Sequence, residues 1–134
     1  MLFRSVMTPE ELAALAADPL ARLGAHTETH VNLRRVPPDR LRREITGCAD
    51  AIETWVGRRP VEFCYPYGWG VAVGPREIAA AREAGYRVAV TTRPGLLGYD
   101  GPEDLFTLAR VSLNGLYQRR RYVGALISGL PFLF

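Results

Sequence analysis

The chain has 134 residues, enough for one domain that buries about two thirds of its unfolded surface. Its composition is that of an ordinary globular protein, 48% hydrophobic and 23% charged. The net charge of +3 comes entirely from arginine, since there is no lysine. Apart from Arg119-Arg120-Arg121 the basic residues are scattered, which argues against a nucleic-acid-binding role.

In chain order, Thr8-Pro9-Glu10-Glu11 is a capping box with proline at the first helical position, predicting a helix to about Ala17. The apolar run Leu20–Gly24 reads as a strand. It leads into His26-Thr27-Glu28-Thr29-His30, which holds the only two histidines of the chain. Residues four apart on a helical turn lie about 5–6 Å apart at Cβ, close enough for both imidazoles to reach one metal ion. A catalytic zinc usually takes three protein ligands plus water. The third here is either a carboxylate of this chain or a group outside it.

Pro37-Pro38-Asp39 opens a longer helix whose apolar positions Leu41, Ile45, Cys48, Ala49, Ile52 and Val56 follow the 3.6-residue period, and Gly57 stops it. Val61–Tyr65 reads as a strand running into the turn Pro66-Tyr67-Gly68-Trp69-Gly70. A strand that turns so sharply can aim a backbone N–H at a developing oxyanion, an effect worth about 3–4 kcal/mol in known enzymes. A third helix is expected over Pro75–Ala84 with Gly85 as its cap, then a strand Tyr86–Thr92 and a Gly/Pro-rich loop Arg93–Asp104. A strand Phe106–Leu113 and an amphipathic helix Leu116–Leu130 complete the chain. Alternating helices and strands with crossovers of this length predict an α/β fold with parallel strands under packed helices. In such folds, sites gather at the carboxyl ends of the strands, and both the histidine loop and the tyrosine turn fall there.

Cys48 and Cys64 lack a metal-type spacing and are expected as free thiols, although a disulfide is compatible with the sequence. Met1–Met7 carries no signal-peptide pattern, which taken alone predicts a cytoplasmic chain. No run approaches the ~18 apolar residues of a membrane span. Gln118–Phe134, basic and then apolar, could instead lie in a membrane interface, but a helix packed on the barrel is the preferred reading.

His26-Thr27-Glu28-Thr29-His30 resembles the His-(Ser/Thr)-x-x-His motif of the polysaccharide deacetylases, carbohydrate esterase family 4, which includes the nodulation-type chitooligosaccharide deacetylases. Phe63-Cys64-Tyr65-Pro66-Tyr67-Gly68 is similar to the Phe-Ala-Tyr-Pro-Tyr-Gly variant of that family's next motif. Gly85-Tyr86, Val90–Gly95 and Arg110–Gly115 resemble its later strands, so the likeness runs through nearly the whole chain as one domain, 1–134. The resemblance implies a partial (β/α) barrel and a metal-dependent hydrolase that removes N-acetyl groups from a glycan. His26 and His30 would hold a divalent metal, zinc first and cobalt as the alternative. Tyr67 would supply the oxyanion donor, Thr27 would support the loop, and Tyr65 and Trp69 would contact sugar.

The chain departs from the family in several ways. None of its five aspartates, Asp18, Asp39, Asp50, Asp100 and Asp104, sits in the Thr-Phe-Asp-Asp pattern that carries the third ligand and the base. No third histidine is present to act as general acid, and Cys64 stands where an arginine is common. The expectation is therefore a deacetylase part lacking its N-terminal strands, holding metal weakly and turning over poorly. Such a part would be prone to self-association through an exposed strand edge. A non-catalytic glycan-binding remnant is the rival reading.

Overall fold

The computed structural model describes residues 6–68, 70–97, 104–113 and 119–132. Trp69, Asp100, Asn114-Gly115, the start of the last predicted helix and the final two residues lie outside them. Thr8 caps helix α1, Pro9–Ala16, through the capping box: its side chain accepts from the Glu11 N–H, and the Glu11 carboxylate accepts from the Thr8 N–H. Helix α2, Pro38–Val56, starts on proline and ends at Gly57, whose φ of 72° closes the helix in the left-handed conformation. Helix α3, Pro75–Glu83, is capped by Ala84, one residue before the glycine expected to cap it. Gly85 takes the left-handed φ of 89° just beyond.

Three strands, β1 (Glu62–Cys64), β2 (Val88–Pro94) and β3 (Leu108–Arg110), form one parallel sheet in the order β1-β2-β3. This is the α/β parallel architecture expected from the sequence. The strand expected over Leu20–Gly24 contracts to a single parallel bridge, Ala25 to Phe63, held by Ala25 N–H to Glu62 O and Cys64 N–H to Ala25 O, both 2.9 Å. Leu20 is exposed, and its N–H is taken by the Asp18 carboxylate in a turn. The local Asp-Pro turn chemistry therefore overrides the apolar run. β2 extends two residues past its predicted end, and the β2–β3 register is interrupted between Val90 and Pro94. The last helix is shorter than expected: α4 covers Arg120–Ile127, followed by a 3₁₀ turn at Leu130–Phe132. None of the α4 residues is buried.

Register places the core. Phe63 pairs with Ala25 on one side and Ala89 on the other, so these three share a sheet face. All three are buried, together with Leu41, Ile45, Ala49 and Ile52 of α2 and Ala80 and Ala81 of α3. Tyr86 stacks obliquely on Phe63 with ring centroids 4.9 Å apart, and its hydroxyl donates to the Ile45 carbonyl at 2.9 Å. Phe106 closes the far side under the Arg82 guanidinium, which also pairs with Asp104. The opposite sheet face, with Glu62, Cys64, Val88 and Val90, is only half-buried. No helix among the described residues is long and apolar enough to cross a membrane.

Phe63 therefore joins strand to helix layer, and its loss opens a cavity bounded by two other aromatic rings. Phe63→Ala is expected to cost about 3–5 kcal/mol of unfolding free energy, measured by urea denaturation followed by far-UV circular dichroism.

Candidate functional site

The histidine loop leaves the Ala25 bridge, and the tyrosine turn leaves β1, at the same carboxyl end of the sheet. His26 Nδ1 lies 2.7 Å from the Cys64 carbonyl oxygen. A carbonyl can only accept, so Nδ1 carries a proton, and in the neutral ring this tautomer leaves the Nε2 lone pair to face a ligand. The His26 and His30 ring centroids are 4.8 Å apart, at an interplanar angle of 69°. The Tyr67 ring stands edge-on to that of His30, with centroids 5.0 Å apart. The structure thus brings His26, His30 and Tyr67 together.

The pair does not lie on a helical turn, as the spacing of four suggested. Residues 27–30 form a loop in which Thr27 (φ 66°) and His30 (φ 56°) are left-handed. Such a conformation is uncommon outside glycine and least tolerated by a β-branched residue such as Thr27, where it costs on the order of 1–3 kcal/mol. Local bonds hold it. Buried Thr27 accepts the His30 N–H through Oγ1 at 3.1 Å. The Glu44 carboxylate of α2 accepts the Thr29 N–H at 2.9 Å and the Thr29 hydroxyl on its other oxygen. Burial works to raise the Glu44 pKa, but the Thr29 bonds and Arg40 outweigh it and hold the carboxyl below its usual range.

Tyr67 is the third left-handed non-glycine residue, with φ 62°. Its carbonyl accepts the Thr92 hydroxyl at 3.0 Å, and the Gly68 carbonyl accepts the Thr92 N–H at 2.7 Å, so the end of β2 clasps the turn. A second brace joins the segments just beyond the two loops. Arg34 donates to the Gly70 carbonyl and Arg76 to the Leu33 carbonyl, each at 2.7 Å, and Arg76 pairs with the buried Glu77 at 2.8 Å.

Tyr65 is not a sugar platform. It is fully buried in the core, edge-on to Phe63 at 5.1 Å, because β1 alternation turns Phe63 and Tyr65 to the helix side and Cys64 away. Burial, with Asp104 as the next contributor, pushes its phenol well above the ordinary range, and among the described residues its hydroxyl has no hydrogen-bond partner. Tyr67, by contrast, is 59% exposed. Trp69, the other expected sugar contact, lies outside the described residues. Cys48 and Cys64 are free, and burial raises both thiols.

Among the described residues, no group of three or more His, Cys, Asp and Glu side chains could hold a metal ion. Beside the loop, a cleft of about 670 Å³ runs between α1 and α2, lined chiefly by Leu12, Leu23, Cys48, Ile52 and Trp55 with His26 at its rim. Sequence reasoning missed Glu44, Arg34, Arg76 and Thr92. For Glu44 a signal existed, a carboxylate set within the apolar stripe of Leu41, Ile45 and Cys48.

Two glycines separate close approach from backbone strain. A Cβ on Gly68 (φ 44°) would lie 2.6 Å from the Thr92 backbone nitrogen, whereas one on Gly57 (φ 72°) would meet nothing within 4 Å. Gly57→Ala is expected to cost about 1–2 kcal/mol for its left-handed backbone alone. Gly68→Ala should cost clearly more and displace the tyrosine turn. Melting temperatures and the Thr92 amide resonance check both.

Residues 4–89 match the polysaccharide deacetylase family. Among solved structures, a polysaccharide deacetylase from Bacillus cereus is similar with a TM-score of 0.76 at 19% identity, covering 90% of this chain and 36% of its own. IcaB from Ammonifex degensii gives 0.72 at 20% identity, with 91% and 54% covered. The Streptococcus pyogenes deacetylase PplD, in complex with acetate, gives 0.65 at 20% identity, with 75% and 42% covered. The chain thus spans from about a third to just over half of these neighbours' lengths, and at such identities they establish its fold. No curated protein matches it. Both the histidine loop and the tyrosine turn fall within the stretch matched, which is well over half of the sequence, and the chain belongs to the polysaccharide deacetylase family.

Proposed function

We propose that this chain carries the two-histidine metal corner and the oxyanion turn of an N-deacetylase for an N-acetylated glycan of the chitooligosaccharide kind. The observation that carries the reading is the His26 Nδ1 bond to the Cys64 carbonyl, which leaves Nε2 free beside the second imidazole. Neutral imidazoles suit zinc, with cobalt as an alternative. A divalent cation bound there supplies Lewis acidity toward the acetyl carbonyl and an acidified water. His26 and His30 hold it, Thr27 sets the loop between them, and the backbone N–H of Tyr67 donates to the developing oxyanion. The exposed Tyr67 ring offers a flat apolar face to a sugar.

Two imidazoles make an incomplete cage. Loss of one of three ligands lowers affinity sharply, and lack of a carboxylate base costs about 10²–10⁴ in rate. The chain alone is therefore expected to bind Zn²⁺ only weakly and to release acetate from N-acetylglucosamine oligomers slowly or not at all. The two imidazole C–H resonances, followed by ¹H NMR during Zn²⁺ titration, should shift together in the wild type. His30→Ala should abolish the saturable shift of the remaining ring. Equal titrations for the two proteins would remove His26 and His30 as the site. Rapid acetate release by the metal-loaded chain would show that a carboxylate base is present after all. Oligomer binding without metal uptake would favour a glycan-binding role.

A further inference from the structure

We infer that Glu44 is a positioning residue for the histidine pair, an inference that rests on the metal-binding reading above. Glu44 lies on α2 in the stripe of Leu41, Ile45 and Cys48, and is only 3% exposed. A buried carboxylate needs donors. One oxygen accepts the Thr29 N–H at 2.9 Å, and the other accepts the Thr29 hydroxyl and faces the Arg40 guanidinium at 3.4 Å. Glu44 therefore acts through Thr29, with both of its oxygens engaged.

Thr29 is the residue before His30, whose left-handed backbone turns its ring toward His26. Thr27 secures the same turn from inside the loop by accepting the His30 N–H. Glu44 secures it from outside, tying the loop to a helix of the core. Two rings on a free loop would lose register with each other, whereas a loop clamped on both sides presents them preassembled. Partners that orient metal ligands typically contribute about 10–100-fold to metal affinity.

The test titrates Zn²⁺ into the whole chain and follows the imidazole C–H resonances. Glu44→Ala should weaken binding about 10-fold or more. Glu44→Gln keeps one acceptor and should lose less. Thr29→Val, at an exposed position, keeps the N–H bond and lacks the hydroxyl, and should fall between Glu44→Gln and wild type. Leu41→Ala destabilises the same helix from a fully apolar core position and should leave the affinity within about two-fold, so a merely structural role would move it as much as Glu44→Ala. Equal losses for Leu41→Ala and Glu44→Ala, or unchanged binding in the Glu44 variants while His30→Ala loses it, would overturn the inference alone. Indifference of wild type to Zn²⁺ would overturn it together with the proposed function. If Glu44→Ala does not fold, Glu44→Gln and Thr29→Val decide the matter, and wild-type affinity in both sinks the inference.

Discussion

The hydrogen bond from His26 Nδ1 to the Cys64 carbonyl organises the site. In net free energy it is small, about 1 kcal/mol like most such bonds, and the fold does not need it. Burial of Phe63, Ile45, Leu33 and their neighbours is what holds the chain together. The bond matters because it is directional: it fixes a tautomer and a ring plane at once. It can form only because the Ala25–Phe63 bridge sets the two strand ends in parallel register, which brings His26 level with Cys64. A slip of one residue would turn the imidazole to the opposite face.

The strain in the described backbone coincides with the site. Its left-handed non-glycine residues are Thr27, His30 and Tyr67. Each is met by bonds from a well-packed neighbour: Thr27 Oγ1 and Glu44 for the histidine loop, Thr92 for the tyrosine turn. Backbone in this state persists where its surroundings over-determine it. The braces from Arg34 and Arg76 extend the same logic to the segments just beyond each loop. The loops are thereby held to one another as well as to the sheet. Two rings that belong to different stretches of chain can then keep a fixed distance.

Much of this was legible in the sequence because it is local. Capping at Thr8, proline at the start of α2, the left-handed stop at Gly57 and the periodic stripe of α2 each rest on a few adjacent residues. The approach of His26 and His30 was legible for a reason that does not hold: the spacing suggested a helical turn, and a strained loop delivers the same proximity. Tyr65 and Tyr67 look alike in the sequence, and only the pleat of β1 and the turn after it separate a core ring from an exposed one. Leu20–Gly24 failed as a strand because Asp18-Pro19 turns the chain there, and the sheet recruits just Ala25. Glu44 escaped notice because its partner lies 15 residues away, on a loop whose shape no pattern in the helix reveals.

Cys64 shows how the site is divided between scaffold and chemistry. Its carbonyl orients His26, while its side chain lies on the half-buried sheet face, away from that contact. Where the family commonly places an arginine, this chain has a thiol. Burial pushes that thiol up, although Arg110 acts in the opposite direction. A thiol contributes no cation at this position. A backbone role survives any such substitution, because every residue type offers the same carbonyl. The charge at that position can change while the His26 tautomer, and with it the free Nε2, stays as it is.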